Sequence, residues 1–225
     1  MNPDEQNPYA TPASLKIPST DALAPHLEGI AFPLKFCFRI LTLAPRMDIT
    51  DASGRSVLHA RQKLFKLREH VEIFTDATRT TKLAEIRANK IIDWSARYNF
   101  TDSWGGEIGS VGRKGWRSIW RAHYEAFNPG DQTPDFTIRE ENPLAKVVDS
   151  IFGQIPLLNF LTLYLFHPRY LATRSSGEGA LRLSKLPALW QGKFNIEQTG
   201  PLTARETMNL LLSFIMLILL ERRRG

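Results

Sequence analysis

The stretch that decides the fold is Thr203-Ala204-Arg205-Glu206-Thr207-Met208-Asn209-Leu210-Leu211-Leu212-Ser213-Phe214-Ile215-Met216-Leu217-Ile218-Leu219-Leu220, closed by Glu221-Arg222-Arg223-Arg224-Gly225. Thr203 and Glu206 fit a capping box: the threonine oxygen accepts from the Glu206 amide and the carboxylate reaches back to the Thr203 amide. A helix is predicted from there over about 204–220. Between Met208 and Leu220 only Asn209 and Ser213 are polar, and the terminal arginines suit the negative end of the helix dipole. A helix apolar on every side has to be buried on every side. Thirteen residues cover roughly 20 Å, less than the ~30 Å of a bilayer core, so a core helix is favoured over a membrane span.

The rest of the chain must then supply a wall around that helix. Its 225 residues are 43% hydrophobic and 23% charged, which excludes a collagen, a coiled coil and a wholly disordered chain. Fourteen Gly, fourteen Pro, thirteen Phe and five Trp suit turns and aromatic-rich strands better than a helical bundle. Period two is written directly in the sequence. Leu34, Phe36, Phe38 and Ile40 alternate with Lys35, Cys37 and Arg39; Trp94, Ala96, Tyr98 and Phe100 with Ser95, Arg97, Asn99 and Thr101; and Ser118, Trp120, Ala122, Tyr124 and Ala126 with charged or polar neighbours and Ile119. Asp51-Ala52-Ser53-Gly54 is turn chemistry between strands at 47–50 and 57–62. Two further strands are expected at 180–185 and 193–198. About ten to twelve strands result, and the fold class is mainly β: a closed barrel of about twelve strands enclosing the terminal helix of ~10 Å diameter in place of a side-chain core.

Val71-Glu72-Ile73-Phe74 with Ala84-Glu85-Ile86-Arg87, and Tyr124-Glu125-Ala126-Phe127 with Phe136-Thr137-Ile138-Arg139, resemble one another as hairpins ending in Ile-Arg. They read as an internal repeat of about 50 residues or as two hairpins of like polarity. Asn142-Pro143 starts one short amphipathic helix carried by Leu144, Val147, Val148, Ile151 and Phe152 and ended by Gly153. Residues 157–166 are too apolar for periodicity to assign.

The net charge of +6 divides unevenly, −3 over residues 1–30 and +9 beyond. Residues 1–30, with five prolines and few large apolar groups, read as a flexible arm, either a docking peptide or a solvated tail. Residues 31–225 form the domain. A lone Cys37 and no apolar leader suit a reducing, cytoplasmic compartment.

Tests for chemistry return no catalytic signature, cofactor motif or metal site. Asp48 to Gly54 lacks the ligands of a calcium loop, the five histidines show no i, i+4 pair, and Glu140-Glu141 precede a helix whose positive end they suit. Gly106, Gly109 and Gly112 lie in a strand, where glycine marks a bulge or close packing rather than a phosphate loop. A barrel filled by its own helix leaves no obvious interior pocket, so an enzyme is the last expectation. The candidate binding residues are Arg113, Lys114, Trp116, Arg117 and Arg121, cations interleaved with an indole, a combination that sits at lipid headgroups or stacks on bases. A solvated outer face is their ordinary alternative.

The order of Asp48-Ile49-Thr50-Asp51-Ala52-Ser53-Gly54, the Gly106 to Lys114 strand, Asp135-Phe136-Thr137-Ile138-Arg139, Phe166-His167-Pro168-Arg169-Tyr170, Gly192-Lys193-Phe194-Asn195-Ile196 and the terminal apolar helix resembles the LURP-one-related proteins. That family belongs with phospholipid scramblases and the tubby carboxyl-terminal domain. The resemblance covers about 34–225 and implies the helix-filled twelve-stranded barrel and an anionic phospholipid surface as partner, at the inner face of the membrane. The scramblase cysteine cluster and acidic calcium segment have no counterpart here. A protein-interaction or nucleic-acid-binding scaffold, and an integral scramblase-like protein, are the alternative readings.

Overall fold

The computed structural model describes residues 24–39, 45–63, 70–89, 97–113, 123–141, 168–187 and 191–222. A single turn of helix, α1 (Ala24–Leu27), precedes twelve strands: β1 (Leu34–Arg39), β2 (Arg46–Thr50), β3 (Ser56–Gln62), β4 (His70–Phe74), β5 (Lys82–Ala88), β6 (Arg97–Asp102), β7 (Glu107–Arg113), β8 (His123–Phe127), β9 (Phe136–Glu140), β10 (Arg169–Arg174), β11 (Gly179–Leu186) and β12 (Gln191–Gln198). The last element is α2 (Ala204–Arg222). Every strand pairs antiparallel with its sequence neighbours, and β1 pairs with β12 as well as β2, so the sheet closes into a barrel without edges.

Closure solves the problem set by α2. All thirteen residues from Thr207 to Leu219 are buried, on every face of the helix. The inward positions of the strands meet them: Leu34, Phe36 and Phe38 on β1, Tyr98 and Phe100 on β6, Tyr124 and Ala126 on β8, Phe136 and Ile138 on β9, all in one continuous apolar core. The described parts of the predicted period-two strands therefore have their apolar face inward, with Phe36 and Phe194 in edge-to-face contact at 5.6 Å between centroids, while Ile40, 94–96 and 117–122 lie outside the described residues. Both look-alike segments are hairpins, β4–β5 and β8–β9.

The capping box forms in both directions. Thr203 Oγ1 accepts from the Glu206 amide at 3.2 Å, and Glu206 Oε2 accepts from the Thr203 amide at 2.9 Å. Arg174 on β10 adds a two-pronged contact to the same carboxylate, one arm at 3.0 Å, tying the start of the helix to the wall. The Arg174 guanidinium holds the Glu206 carboxyl below the usual glutamate value of 4.5. A lowered folded-state value means this stabilisation is present above the ordinary glutamate range and is lost as pH falls through the lowered one. Glu206→Ala is expected to cost about 1–2 kcal/mol near neutral pH, a typical loss for a cap and its ion pair. Its urea midpoint should fall less than the parent's on acidification; parallel acid limbs would rule out this role for Glu206.

Glycine is required at Gly109, on β7 facing α2. A Cβ there would lie 2.6 Å from Asn209 Nδ2 and 2.6 Å from the Phe127 carbonyl oxygen, and φ is +154°. That carbonyl accepts from Asn209 Nδ2 at 2.9 Å, so the one amide side chain in the apolar run locks helix to wall where the glycine lets them approach. Gly109→Ala is expected to cost about 1–3 kcal/mol by overpacking. An unchanged denaturation midpoint would contradict the close approach.

One expectation is corrected. Residues 24–30, assigned to the arm for their prolines, instead fold over α2: α1 contacts it, Leu27 is 5% exposed, and His26 bonds the Val57 carbonyl. Glu140 ends β9, and Glu141 meets Arg182 on β11 in a bidentate contact at 3.1–3.3 Å. An open pocket lies at one end of the barrel. The expected helix after Asn142, the apolar run 157–166, His167 and the arm up to residue 23 lie outside the described residues.

Candidate functional site: one end of the barrel

The two ends of the barrel are chemically unlike. At the end where α2 begins, the strands are joined by short turns rich in Asp, Ser, Thr and Gly. Asp51 illustrates their chemistry: its carboxylate accepts from Ser53 Oγ at 2.6 Å, the Ser53 amide at 2.9 Å and the Arg55 amide at 3.0 Å, and Gly54 takes φ +90°. The Ser53 hydroxyl, followed by the other donors, draws the Asp51 carboxyl down to about 2, against the desolvation that opposes it. Asp102 repeats the arrangement, accepting from the Trp104 and Gly106 amides at 2.9 and 2.7 Å.

By sequence, the stretches that join the strand ends on the opposite side, where α2 finishes, have another composition, and they lie outside the described residues. They include Ile40-Leu41-Thr42-Leu43, Leu64-Phe65-Lys66-Leu67-Arg68, Lys90-Ile91-Ile92-Asp93-Trp94, Lys114-Gly115-Trp116-Arg117-Ser118-Ile119-Trp120-Arg121 and Ala188-Leu189-Trp190. Of the five tryptophans only Trp104 is among the described residues, in the turn between β6 and β7. Arg113 is the final residue of β7 at this end, half-buried. Lys114, Trp116, Arg117 and Arg121 lie outside the described residues, in the sequence that joins β7 to β8 there.

The described residues of this end form an open apolar pocket of about 270 Å³. Its floor is Leu217 and Ile218 of α2, and its walls include Phe38, Tyr170 and Phe194, from the mouth ends of β1, β10 and β12. Gly192 stands opposite Phe38 in the β1–β12 register, and a Cβ on it would come within 3.3 Å of both Phe38 and Phe194, so the missing side chain keeps this side open. Lys185, Glu221 and Arg222 complete the lining. Lys185 is two residues beyond buried Leu183, on the inward parity of β11, but exposed at the rim. The Arg222 guanidinium lies 4.8 Å from the Phe38 ring centroid, a cation–π contact.

Glu221 is already engaged, accepting from the Tyr124 hydroxyl at 2.8 Å. Burial first, and then the Glu221 charge, push the phenols of Tyr124 and Tyr170 far above the ordinary tyrosine range. Both stay protonated near neutral pH, so neither serves there as a base or nucleophile. Outside the barrel a second, more polar groove of about 460 Å³ runs along the same rim, lined by Arg169, Arg182, Ser184, Asn195 and Glu197, with Lys185 common to both. Among the described residues no three His, Cys, Asp or Glu side chains converge.

No single residue of this pocket is marked by sequence context; its lining comes from four strands and a helix. Of the binding residues expected from sequence only Arg113 is described, at the end of β7.

No protein family and no curated protein matches this chain. Among solved structures it is similar to a protein from Arabidopsis thaliana known by X-ray structure, at 10% identity and a TM-score of 0.49, over 86% of this chain and 93% of that one.

Proposed function

We propose that this is a non-enzymatic barrel that associates peripherally with anionic phospholipid through the end where α2 finishes. The observation that carries the reading is the described mouth at that end, an apolar pocket walled by Phe38, Tyr170 and Phe194 with the cations Lys185 and Arg222 in its lining, while the other end is turned in polar residues. Indole and aliphatic side chains settle at the headgroup boundary, and lysine or arginine beside them is attracted to an anionic leaflet. Neither element alone would select a lipid surface. No helix among the described residues is long and apolar enough to cross a membrane, and every face of α2 is engaged inside the barrel, which favours a surface mode over insertion of that helix.

Co-sedimentation of the full chain with vesicles tests it. Binding to vesicles containing phosphatidylserine and not to phosphatidylcholine vesicles, weakened as salt shortens the reach of exposed charges, is expected. Protein that leaves both in the supernatant but shifts DNA would replace this reading with nucleic-acid binding.

A further inference from the structure

We propose that the mouth pocket is a binding site for one single-chain fatty carboxylate, with the hydrocarbon on Leu217, Ile218, Phe38 and Phe194 and the carboxylate on Lys185 at the rim. The inference deepens the lipid reading above and rests on it for the orientation of this end.

Three features select that ligand. The walls and floor are apolar, with Tyr170 only 4% exposed, so the pocket rewards hydrocarbon and offers a polar ligand little. At about 270 Å³ it lies just under the ~300 Å³ where small-ligand pockets begin, room for one chain rather than the two of a diacyl lipid. The charges are placed asymmetrically. The C-terminal dipole of α2 and the Glu221 carboxylate repel an anion over the centre of the floor. Lys185 stands at the rim, where the apolar pocket meets the groove holding Arg169 and Arg182. Arg182 is engaged by Glu141 and Glu197, Arg222 lies over the Phe38 ring and Arg169 belongs to the outer groove alone, so Lys185 is the cation common to pocket and groove, placed to meet a headgroup leaving the pocket. An amphiphile with its tail in the mouth and its anion turned outward toward Lys185 satisfies all of these; a cationic one does not.

The test is calorimetric titration of the full chain with monomeric octanoate, decanoate and dodecanoate, and with dodecyltrimethylammonium, which carries the longest of these tails on the opposite charge. Saturable binding of one dodecanoate per chain is expected, strengthening about fourfold per added methylene until the pocket is full. Dodecyltrimethylammonium should bind at least tenfold more weakly. Lys185→Glu, at an exposed position, should reverse the preference between the two headgroups. Equal affinity for both amphiphiles, or no saturable dodecanoate binding because the chain's own residues fill the mouth, overturns the proposal. The comparison of dodecanoate with dodecyltrimethylammonium uses the unmodified protein, so it stands even if the Lys185→Glu chain fails to fold. Vesicle sedimentation separates the two readings. Anionic-vesicle association without dodecanoate binding sinks the pocket alone, and dodecanoate binding without vesicle association sinks the membrane-surface reading while keeping the site.

Discussion

Leu212→Asp, or Ile215→Asp, is expected to yield no soluble protein with a cooperative thermal transition. Both side chains are fully buried in a helix surrounded by a closed sheet. An ionised aspartate there costs several kcal/mol in desolvation after whatever relaxation the core allows. A protonated one leaves an unbonded carboxyl at about 1–3 kcal/mol, on top of about 2–5 kcal/mol for the lost aliphatic packing. Either sum is comparable with the whole stability of a domain, about 5–15 kcal/mol. Leu212→Ala supplies the control: the cavity alone costs about 2–5 kcal/mol and should leave a folded protein with a lower midpoint. A soluble Leu212→Asp chain that melts cooperatively near the parental temperature would mean that α2 does not fill the barrel, and the pocket floor built from Leu217 and Ile218 would fall with it.

The helix and its wall were legible because their signals are local. A capping box needs only Thr203 and Glu206, and inward parity needs only alternate residues such as Leu34, Phe36 and Phe38. Once one helix must be buried on all sides and the strands number about twelve, closure follows. What was not legible depends on pairs far apart in sequence. Leu27 sits in a four-residue turn beside Pro25, where nothing local promises burial; the promise comes from α2, nearly two hundred residues later. The Glu141 contact with Arg182 had no local signal, because its partner lies beyond the intervening strand β10. Lys185 reads as one more exposed lysine of an alternating strand. Its significance arises only where β11 ends, Gly192 leaves a gap and the last turn of α2 lines the mouth. A pocket assembled from four strands and a helix end has no local signal in any one of them.

Replacing Arg113, Lys114, Arg117 and Arg121 together by alanine is expected to weaken association with anionic vesicles by roughly a hundred- to a thousandfold, since each cation near an anionic leaflet contributes about 1 kcal/mol. Four fewer charges should also flatten the salt dependence, because the parental decline with salt measures how many cations reach the surface. Trp116→Ala should behave differently, weakening association at every salt concentration without changing the slope, because an indole at the headgroup boundary contributes through burial rather than charge. The comparison discriminates against mere basicity. The outer faces of β5 and β11 also carry cations, but Lys82 and Arg87 meet Glu85, and Arg182 meets Glu141. If vesicle binding were a response to net charge alone, removing any four exposed cations would do equal damage, including Lys35, Arg79, Arg205 and Lys193. Equal loss in both quadruple variants, with circular dichroism showing each folded, would assign the binding to the chain's overall +6 and remove the β7–β8 end from the mechanism. A loss confined to the first variant would place the contact at the mouth, where Lys185, Arg222 and the apolar pocket already lie.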